Sequence, residues 1–225
     1  ALEAHGGRRY GSTTYYGSFA YAPTARSSFN VSVYDRLGGF GGQLNRALSD
    51  LPTQFEANRN LLSGDFTGCV ASTEGNNCLA GALGSVRSSV FRARGVQAGY
   101  NADLGRITAG VGVGYDRRKY HAARGTILAS ANGLVDETYW MSTYINAKMS
   151  ERGSLATNAY VNWFKPDDAF AGDVRTVGGS VSYGHLLTNR LSASIAAGVD
   201  GLMHDDPALD DFWTASAMVG LRYSF

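Results

Sequence analysis

Residues 212 to 225 read FWTASAMVGLRYSF and alternate between apolar and polar or small side chains without a break. In an extended strand successive side chains point to opposite sides of the sheet, so one side carries a continuous apolar row. That row is long enough to cross the hydrocarbon of a bilayer, and it has aromatic residues near both ends. The stretch is therefore predicted to be a transmembrane β-strand. Its apolar row consists of Trp213, Ala215, Ala217, Val219, Leu221, Tyr223 and Phe225.

The composition of the 225-residue chain favours many such strands. It contains 29 Gly, 13 Tyr and 10 Phe but only 4 Pro, a balance typical of strands and turns rather than helices. Mean hydropathy is only −0.17, as expected when lipid-facing apolar positions alternate with polar ones. The net charge of +1 argues against a surface dedicated to polyanions, so nucleic acid is not an expected partner.

Eight further blocks show the same alternation, which gives nine predicted strands. One alternating block is a weak signal, but nine in succession indicate an all-β fold, a transmembrane antiparallel β-barrel covering residues 1–225. The additional strands are predicted at 12–21, 29–36, 96–102, 106–115, 139–149, 155–164, 174–186 and 191–202.

The connections between these strands alternate in length, as expected for a barrel with tight periplasmic turns and larger external loops. An odd count of nine places residues 1–9 on the external side, whereas bacterial barrels usually have an even count. We therefore expect the chain to be the C-terminal part of a larger barrel, of about twelve or more strands. A strand hidden in the long loop 38–89 is the alternative. The predicted long loops are 38–89, 117–137, 165–172 and 204–211.

Two features are predicted within the loop 38–89. Residues 41–51 have helical spacing of apolar side chains before Pro52, which indicates a short external helix. Cys69 and Cys78 are the two cysteines of the chain and lie in a polar, glycine-rich stretch, which predicts a loop disulfide in an oxidising compartment. The first residues, ALEAH, contain no signal peptide, so we expect upstream residues to have been removed or not supplied.

The terminal strand resembles the closing strand of bacterial outer-membrane barrels. The resemblance implies that Leu221, Tyr223 and Phe225 belong to the signal read by the barrel-assembly machinery. It also implies that the long loops face the cell exterior.

Residues 10–115 resemble a family of large β-barrel porins of alphaproteobacteria that accompany exopolysaccharide or exosortase loci. The family implies a barrel in the outer membrane of a Gram-negative bacterium that serves export of a surface polysaccharide. The expected partners of the chain are outer-membrane lipid and lipopolysaccharide, the barrel-assembly machinery, other envelope proteins and polysaccharide. The likeness rests on SVYDR at 32–36, DLPTQF at 50–55, GC at 68–69, NCL at 77–79 and FRARGV at 91–96.

The inward faces of the predicted strands carry a mixed polar set. Charged side chains persist in a lumen only with water or opposite charge beside them, which suits an aqueous pore or a polar plug. They either select solutes, with Tyr and Asn contacting sugar rings, or are the ordinary lining of any barrel. The predicted pore-lining residues are Arg36, Tyr144, Asn146, Lys148, Asn158, Tyr160, Asn162, Asp200 and Arg222.

Five basic residues fall just outside the apolar bands on the external side. Outer-leaflet lipopolysaccharide presents phosphate groups at that depth, so these residues are predicted to contact it. A solvated charge run is the alternative. The residues are Arg92, Arg94, Arg117, Arg118 and Lys119.

Four carboxylates cluster in the last long loop, at Asp205, Asp206, Asp210 and Asp211, beside His204. Oxygen ligands suit calcium, and Asp with His activates water in omptin proteases, although those need their pairs on opposite walls. A solvated loop is the favoured interpretation, and we expect no cofactor and no enzyme activity. The leading function is a pore or export conduit for polar solutes. The alternatives are a structural or partner-binding barrel plugged by the loop 38–89 and, more remotely, an omptin-like protease.

Overall fold

The computed structural model describes residues 1–9, 11–38, 56–59, 66–71, 77–78, 90–121, 132–167, 172–205 and 210–223, with backbone alone at residue 9 and within 56–78. Two sheets are formed by these residues, one of ten strands and one of three. The strands are β1 (Leu2–Arg9), β2 (Ser12–Thr24), β3 (Ser27–Gly38), β4 (Glu56–Arg59), β5 (Phe66–Ala71), β6 (Asn77–Cys78), β7 (Val90–Asp103), β8 (Ile107–His121), β9 (Val135–Lys148), β10 (Gly153–Lys165), β11 (Val174–Leu186), β12 (Leu191–His204) and β13 (Phe212–Tyr223).

The large sheet is an antiparallel meander in which strands that follow one another along the chain are neighbours. Its order is β1-β2-β3-β7-β8-β9-β10-β11-β12-β13, and β4, β5 and β6 form the small sheet within the connection from β3 to β7. Strands β1 and β13 are the two edges and do not pair with each other. The prediction of an all-β antiparallel sheet is confirmed.

The connections 25–26, 104–106, 149–152 and 187–190 join the strands at one end of the large sheet, here called the short-turn rim. The connections 39–89, 122–134, 166–173 and 205–211 join them at the other end, here called the long-loop rim. The β1 to β2 connection at 10–11 also lies there and is much shorter. Gly11, with a φ of 77°, makes this tight turn in a backbone conformation that favours glycine.

The tenth strand, β1, was missed by the sequence analysis. Leu2–Arg9 contains Gly6 and Gly7 and no alternating row of large apolar residues, yet its backbone pairs with β2 along its whole length. The expectation that residues 1–9 lie on the external side is wrong, because they cross the sheet. Ten strands begin and end at the same rim, so the odd strand count no longer supports the expectation of a larger barrel.

Several strands are longer than their alternation predicted. Strand β7 begins at Val90 rather than 96, and β8 continues to His121 rather than 115. The charged residues at these ends interrupt the apolar rows, which is why the sequence pattern placed them in loops. The basic residues 92, 94 and 117–119 therefore lie in regular paired strands.

The two faces of the large sheet differ in polarity. The face that carries the apolar rows, here called the outward face, exposes Val113 (43%), Ile195 (54%) and Val219 (77%). The opposite, inward face buries polar side chains such as Asn101 and Asp116. Soluble proteins show the reverse arrangement, so the outward face is suited to lipid. No helix among the described residues is long and apolar enough to cross a membrane.

The small sheet places Cys69 of β5 directly opposite Cys78 of β6. The cysteine side chains are outside the described part of the chain, so the disulfide stays a prediction. The helix expected at 41–51 also lies outside the described residues.

Candidate functional site: the polar inward face

All nine predicted pore-lining residues lie on the inward face. The register shows this directly, because they pair with one another or with other residues of that face, such as Ser142, Ser154 and Trp140. Tyr144 is opposite Asn158, for example, and Lys148 is opposite Ser154. Their role as the lining of a pore is taken up below as a proposal.

A cavity of about 820 Å³ opens on this face at the short-turn rim. Asn146 and Lys148 line it together with Tyr144, and two arginines from the adjoining turns, Arg26 and Arg106, add positive charge. Asp103 also lines the cavity, and its Oδ1 accepts a hydrogen bond from the backbone N–H of Gly105 at 2.7 Å. Three cations thus face one carboxylate that is already engaged in a turn.

Tyrosine hydroxyls reach across glycines on the inward face in three places. In each, a tyrosine and its acceptor lie on the two strands flanking a glycine, and the three residues are in direct register. We call each unit a tyrosine bridge. Their hydroxyl to Oδ1 distances are 3.1 Å for Tyr34 to Asp116 across Gly95, 2.9 Å for Tyr144 to Asn101 across Gly110 and 2.8 Å for Tyr160 to Asp200 across Gly178.

Glycine is required at the centre of each bridge because the tyrosine ring lies flat on it. A Cβ at Gly178 would be 2.7 Å from Cε1 of Tyr160 and would also collide with Oδ1 of Asp200. The bridges tie three strands together through side chains, in addition to the backbone ladder. The hydroxyls of Tyr144 and Tyr160 are thus engaged within the wall, and contact of their rings with sugars stays a prediction.

A buried charged cluster near the long-loop rim was not predicted. Asp116 accepts hydrogen bonds from Tyr34 and from Nε of Arg118, the latter at 2.6 Å. Asp136 lies opposite Arg118 and is 1% exposed, and neither of its carboxylate oxygens has a hydrogen-bond partner among the described residues. The aromatic residues Phe91 and Tyr120 pack beside the cluster.

The cluster corrects the placement of Arg118. It was grouped with Arg117 and Lys119 as a lipid contact, but alternation along β8 turns it to the inward face, where only 4% of its side chain is exposed. Its partners lie on β8 and on the adjacent strands β7 and β9. The alternation of odd and even positions along 117–119 could have revealed the inward placement of Arg118, whereas its charge could not.

The remaining lining residues are less engaged with their neighbours. The guanidinium of Arg36 lies 4.4 Å from the ring centroid of Tyr34, a cation–π contact. The Oδ1 atoms of Asn158 and Asn162 are buried and find no hydrogen-bond partner in the described ranges of the chain. Arg222 is on the edge strand β13 and is exposed.

The other basic residues predicted to contact lipid lie on the outward face. Arg92 and Arg94 of β7 are opposite Lys119 and Arg117 of β8, and these four residues with His121 line a cleft of about 250 Å³. We call it the basic cleft. Asp35 of β3, 2% exposed, accepts hydrogen bonds from Nε of Arg92 at 2.6 Å and from Nε of Arg94 at 2.8 Å.

The acidic loop does not form a metal site among the described residues. Asp211 accepts a hydrogen bond from the backbone N–H of His204 at 3.1 Å, Asp205 and Asp210 are exposed, and Asp206 lies outside the described residues. No three His, Cys, Asp or Glu side chains of the described chain are close enough to hold a metal ion.

The residues of the predicted assembly signal lie at the end of β13. Leu221 and Tyr223 are on the outward face and are 71% and 53% exposed, while Phe225 is outside the described residues. Recognition by the barrel-assembly machinery stays a prediction.

The meander, its apolar outward face and its polar inward face define an outer-membrane β-barrel fold. A loop-deletion form of OmpT, an outer membrane protein of Vibrio cholerae, has the same fold, with a TM-score of 0.50 and 8% identity over 94% of this chain and 52% of that one. The chain thus spans about half the length of that protein. The fold indicates that this chain is located in the outer membrane of a Gram-negative bacterium.

Two further solved structures are similar at lower scores. They are an anion-selective porin from Comamonas acidovorans (TM-score 0.46, 10% identity, 95% of this chain and 49% of that one) and the toluene transporter TodX of Pseudomonas putida (TM-score 0.30, 10% identity, 100% and 68%). At such identities the likeness concerns the fold alone. No family model and no curated protein sequence matches the chain.

Proposed function

We propose that the chain forms the wall of an outer-membrane pore that passes polar solutes. The observation that supports this best is the open cavity on the inward face, lined by charged and amide side chains. Charged side chains such as Lys148 and Arg106 are stable on that face if water reaches them. A barrel with a dry, packed interior would instead bury apolar or fully paired side chains there.

The proposed pore prefers anions. The cavity has Arg26, Arg106 and Lys148 on its walls, and all three are exposed. Cationic rings at a pore mouth raise the local concentration of anions and repel cations. Solute recognition is assigned to these residues and to Asn146, because the tyrosines of the wall are engaged in bridges.

Reversing two of these charges is expected to reduce the anion preference. In planar bilayers with the full-length protein, Lys148→Glu with Arg106→Glu should lower the anion-to-cation permeability ratio by roughly threefold or more. The ratio is obtained from the reversal potential in a salt gradient. The effect should shrink at high ionic strength, because salt screens the charges.

A matched control makes the same charge reversal at the same rim without changing the cavity. Arg152→Glu with Arg190→Glu changes two exposed residues of neighbouring turns that do not line it. This control should leave the permeability ratio unchanged. A barrel that inserts but carries no current would contradict the pore and favour the alternative, a barrel that is plugged or binds a partner.

The link to a surface polysaccharide is a finer part of the proposal and rests only on the sequence resemblance of residues 10–115 to alphaproteobacterial porins. A polysaccharide conduit must pass extended, hydrated chains. Liposome swelling with graded oligosaccharides tests this part separately. Passage of small anions without passage of any oligosaccharide would support the pore and contradict the link to a polysaccharide.

A further inference from the structure

We propose that the basic cleft on the outward face binds the phosphate of an outer-leaflet lipid headgroup. The cleft lies on β7 and β8 just beyond the apolar rows, at the long-loop rim that in outer-membrane barrels faces the exterior. Its ligand is therefore the phosphorylated glycolipid headgroup of lipopolysaccharide. The proposal is independent of whether the pore conducts.

The cleft is on the side of the sheet away from the cavity. Arg94 is two positions before Val96 on β7, and Arg117 is two positions after Tyr115 on β8. The side chains of Val96 and Tyr115 belong to the apolar outward face. A ligand of the cleft thus has its charged group beside arginines and its neighbouring atoms beside apolar rows. An acylated, phosphorylated lipid has this combination, whereas a solute in the lumen does not reach the outward face.

The cationic groups are held in place by a buried acid. Like charges in direct cross-strand register repel each other, as in the pairs Arg92 with Lys119 and Arg94 with Arg117. Asp35 offsets this by accepting two hydrogen bonds from Arg92, at 2.6 and 2.7 Å, and one from Arg94. Nη2 of Arg92 also donates to the carbonyl of Thr13 at 2.9 Å. The guanidinium groups are oriented before any ligand arrives.

A positive charge remains after these internal pairs. The cleft has four basic side chains, from three arginines and Lys119, against two carboxylates. These are the carboxylates of Asp35 and of Glu137, whose Oε1 is 3.6 Å from Nε of Arg117. Within the described part of the chain, the side chains of Lys119 and His121 make no hydrogen bond or ion pair, although their backbones belong to the paired strand β8. Arginine and lysine at the headgroup level bind phosphate through charge-assisted hydrogen bonds.

The test measures lipid retained by the purified full-length protein with native mass spectrometry. The probes are bisphosphorylated lipid A, the same lipid after removal of both phosphates, and inorganic phosphate alone. We expect Arg94→Gln with Lys119→Gln to weaken binding of bisphosphorylated lipid A at least tenfold. Arg92 is kept, so the bidentate pair with Asp35 remains.

The control is Arg8→Gln with Arg175→Gln, which removes two outward-facing basic residues at the same rim on β1 and β11. Equal weakening by this control would overturn the proposal, because lipid A would then be attracted by the overall positive charge of the rim and not by the cleft. Unchanged binding in the cleft variant, equal binding of dephosphorylated lipid, or competition by millimolar inorganic phosphate would also overturn it.

A charge-retaining variant distinguishes the loss of a cation from a loss of folding. Arg94→Lys with Lys119→Arg should fold and bind within about threefold of the parent chain, because both cations remain. Folding of every variant is checked by heat-modifiable migration in gels. If the double glutamine variant does not fold, the single variant Lys119→Gln is tested instead. Loss of its preference for phosphorylated over dephosphorylated lipid A would support the proposal, and an unchanged preference would overturn it.

Discussion

Replacing Ile195 by arginine is expected to lower the free energy of unfolding from a bilayer by about 2–4 kcal/mol. Ile195 is on the outward face of β12, is 54% exposed, and lies opposite Tyr183 and Val219. An arginine at this position places its charge among acyl chains rather than water. The measurement is folding into lipid vesicles at increasing urea, followed by tryptophan fluorescence.

The neighbouring residue provides the control for this substitution. Ser194 lies on the inward face of the same strand, opposite Gly184 and Gly220. Ser194→Arg keeps its charge on the water side and should change the free energy of unfolding by no more than about 0.5 kcal/mol. Equal losses for the two variants would contradict a lipid-facing outward surface, and with it the membrane location.

Alanine at Gly178 is expected to lower the free energy of unfolding by about 2 kcal/mol or more, because it both overpacks the wall and breaks a hydrogen bond. The added methyl group collides with the Tyr160 ring and with Oδ1 of Asp200, so the tyrosine must leave its bridge. The same urea titration in vesicles measures the loss.

Gly184→Ala is the matched control, since Gly184 is also on the inward face of β11. A Cβ there meets only Oγ of Ser154, at 3.6 Å, so the variant should be neutral or slightly more stable. Combining Gly178→Ala with Tyr160→Ala should lower the stability by less than the sum of the single changes, because the ring that collides has been removed. Full additivity would mean that the bridge does not couple these residues.

The alternation of side chains was sufficient to predict the fold class and nine of the ten strands of the large sheet. It succeeded for β13 because each lipid-facing position is apolar. It failed for β1, where Gly6 and Gly7 leave no apolar row and the strand is recognised only by its backbone pairing with β2. It also ended β8 too early, since Arg117 and Lys119 are charged residues on an outward face.

The partners within the wall were beyond the reach of the sequence pattern. Tyr160 and Asp200 are 40 positions apart on strands that are not adjacent, and they meet only because Gly178 lies between them in register. Alternation assigned both residues to the correct face but gave no register between strands. The buried Asp35 was missed for the same reason, because its two arginines are on another strand.

The connection from β1 to β2 differs in chain length from the others at the long-loop rim. Every other connection there has at least seven residues, whereas β1 and β2 are joined by two, one of them Gly11. Two residues are enough to reverse the chain but supply almost no polypeptide to cover the strands that they join. The ends of β1 and β2 are therefore shielded from the medium by less of their own connecting chain than any other strand pair at this rim.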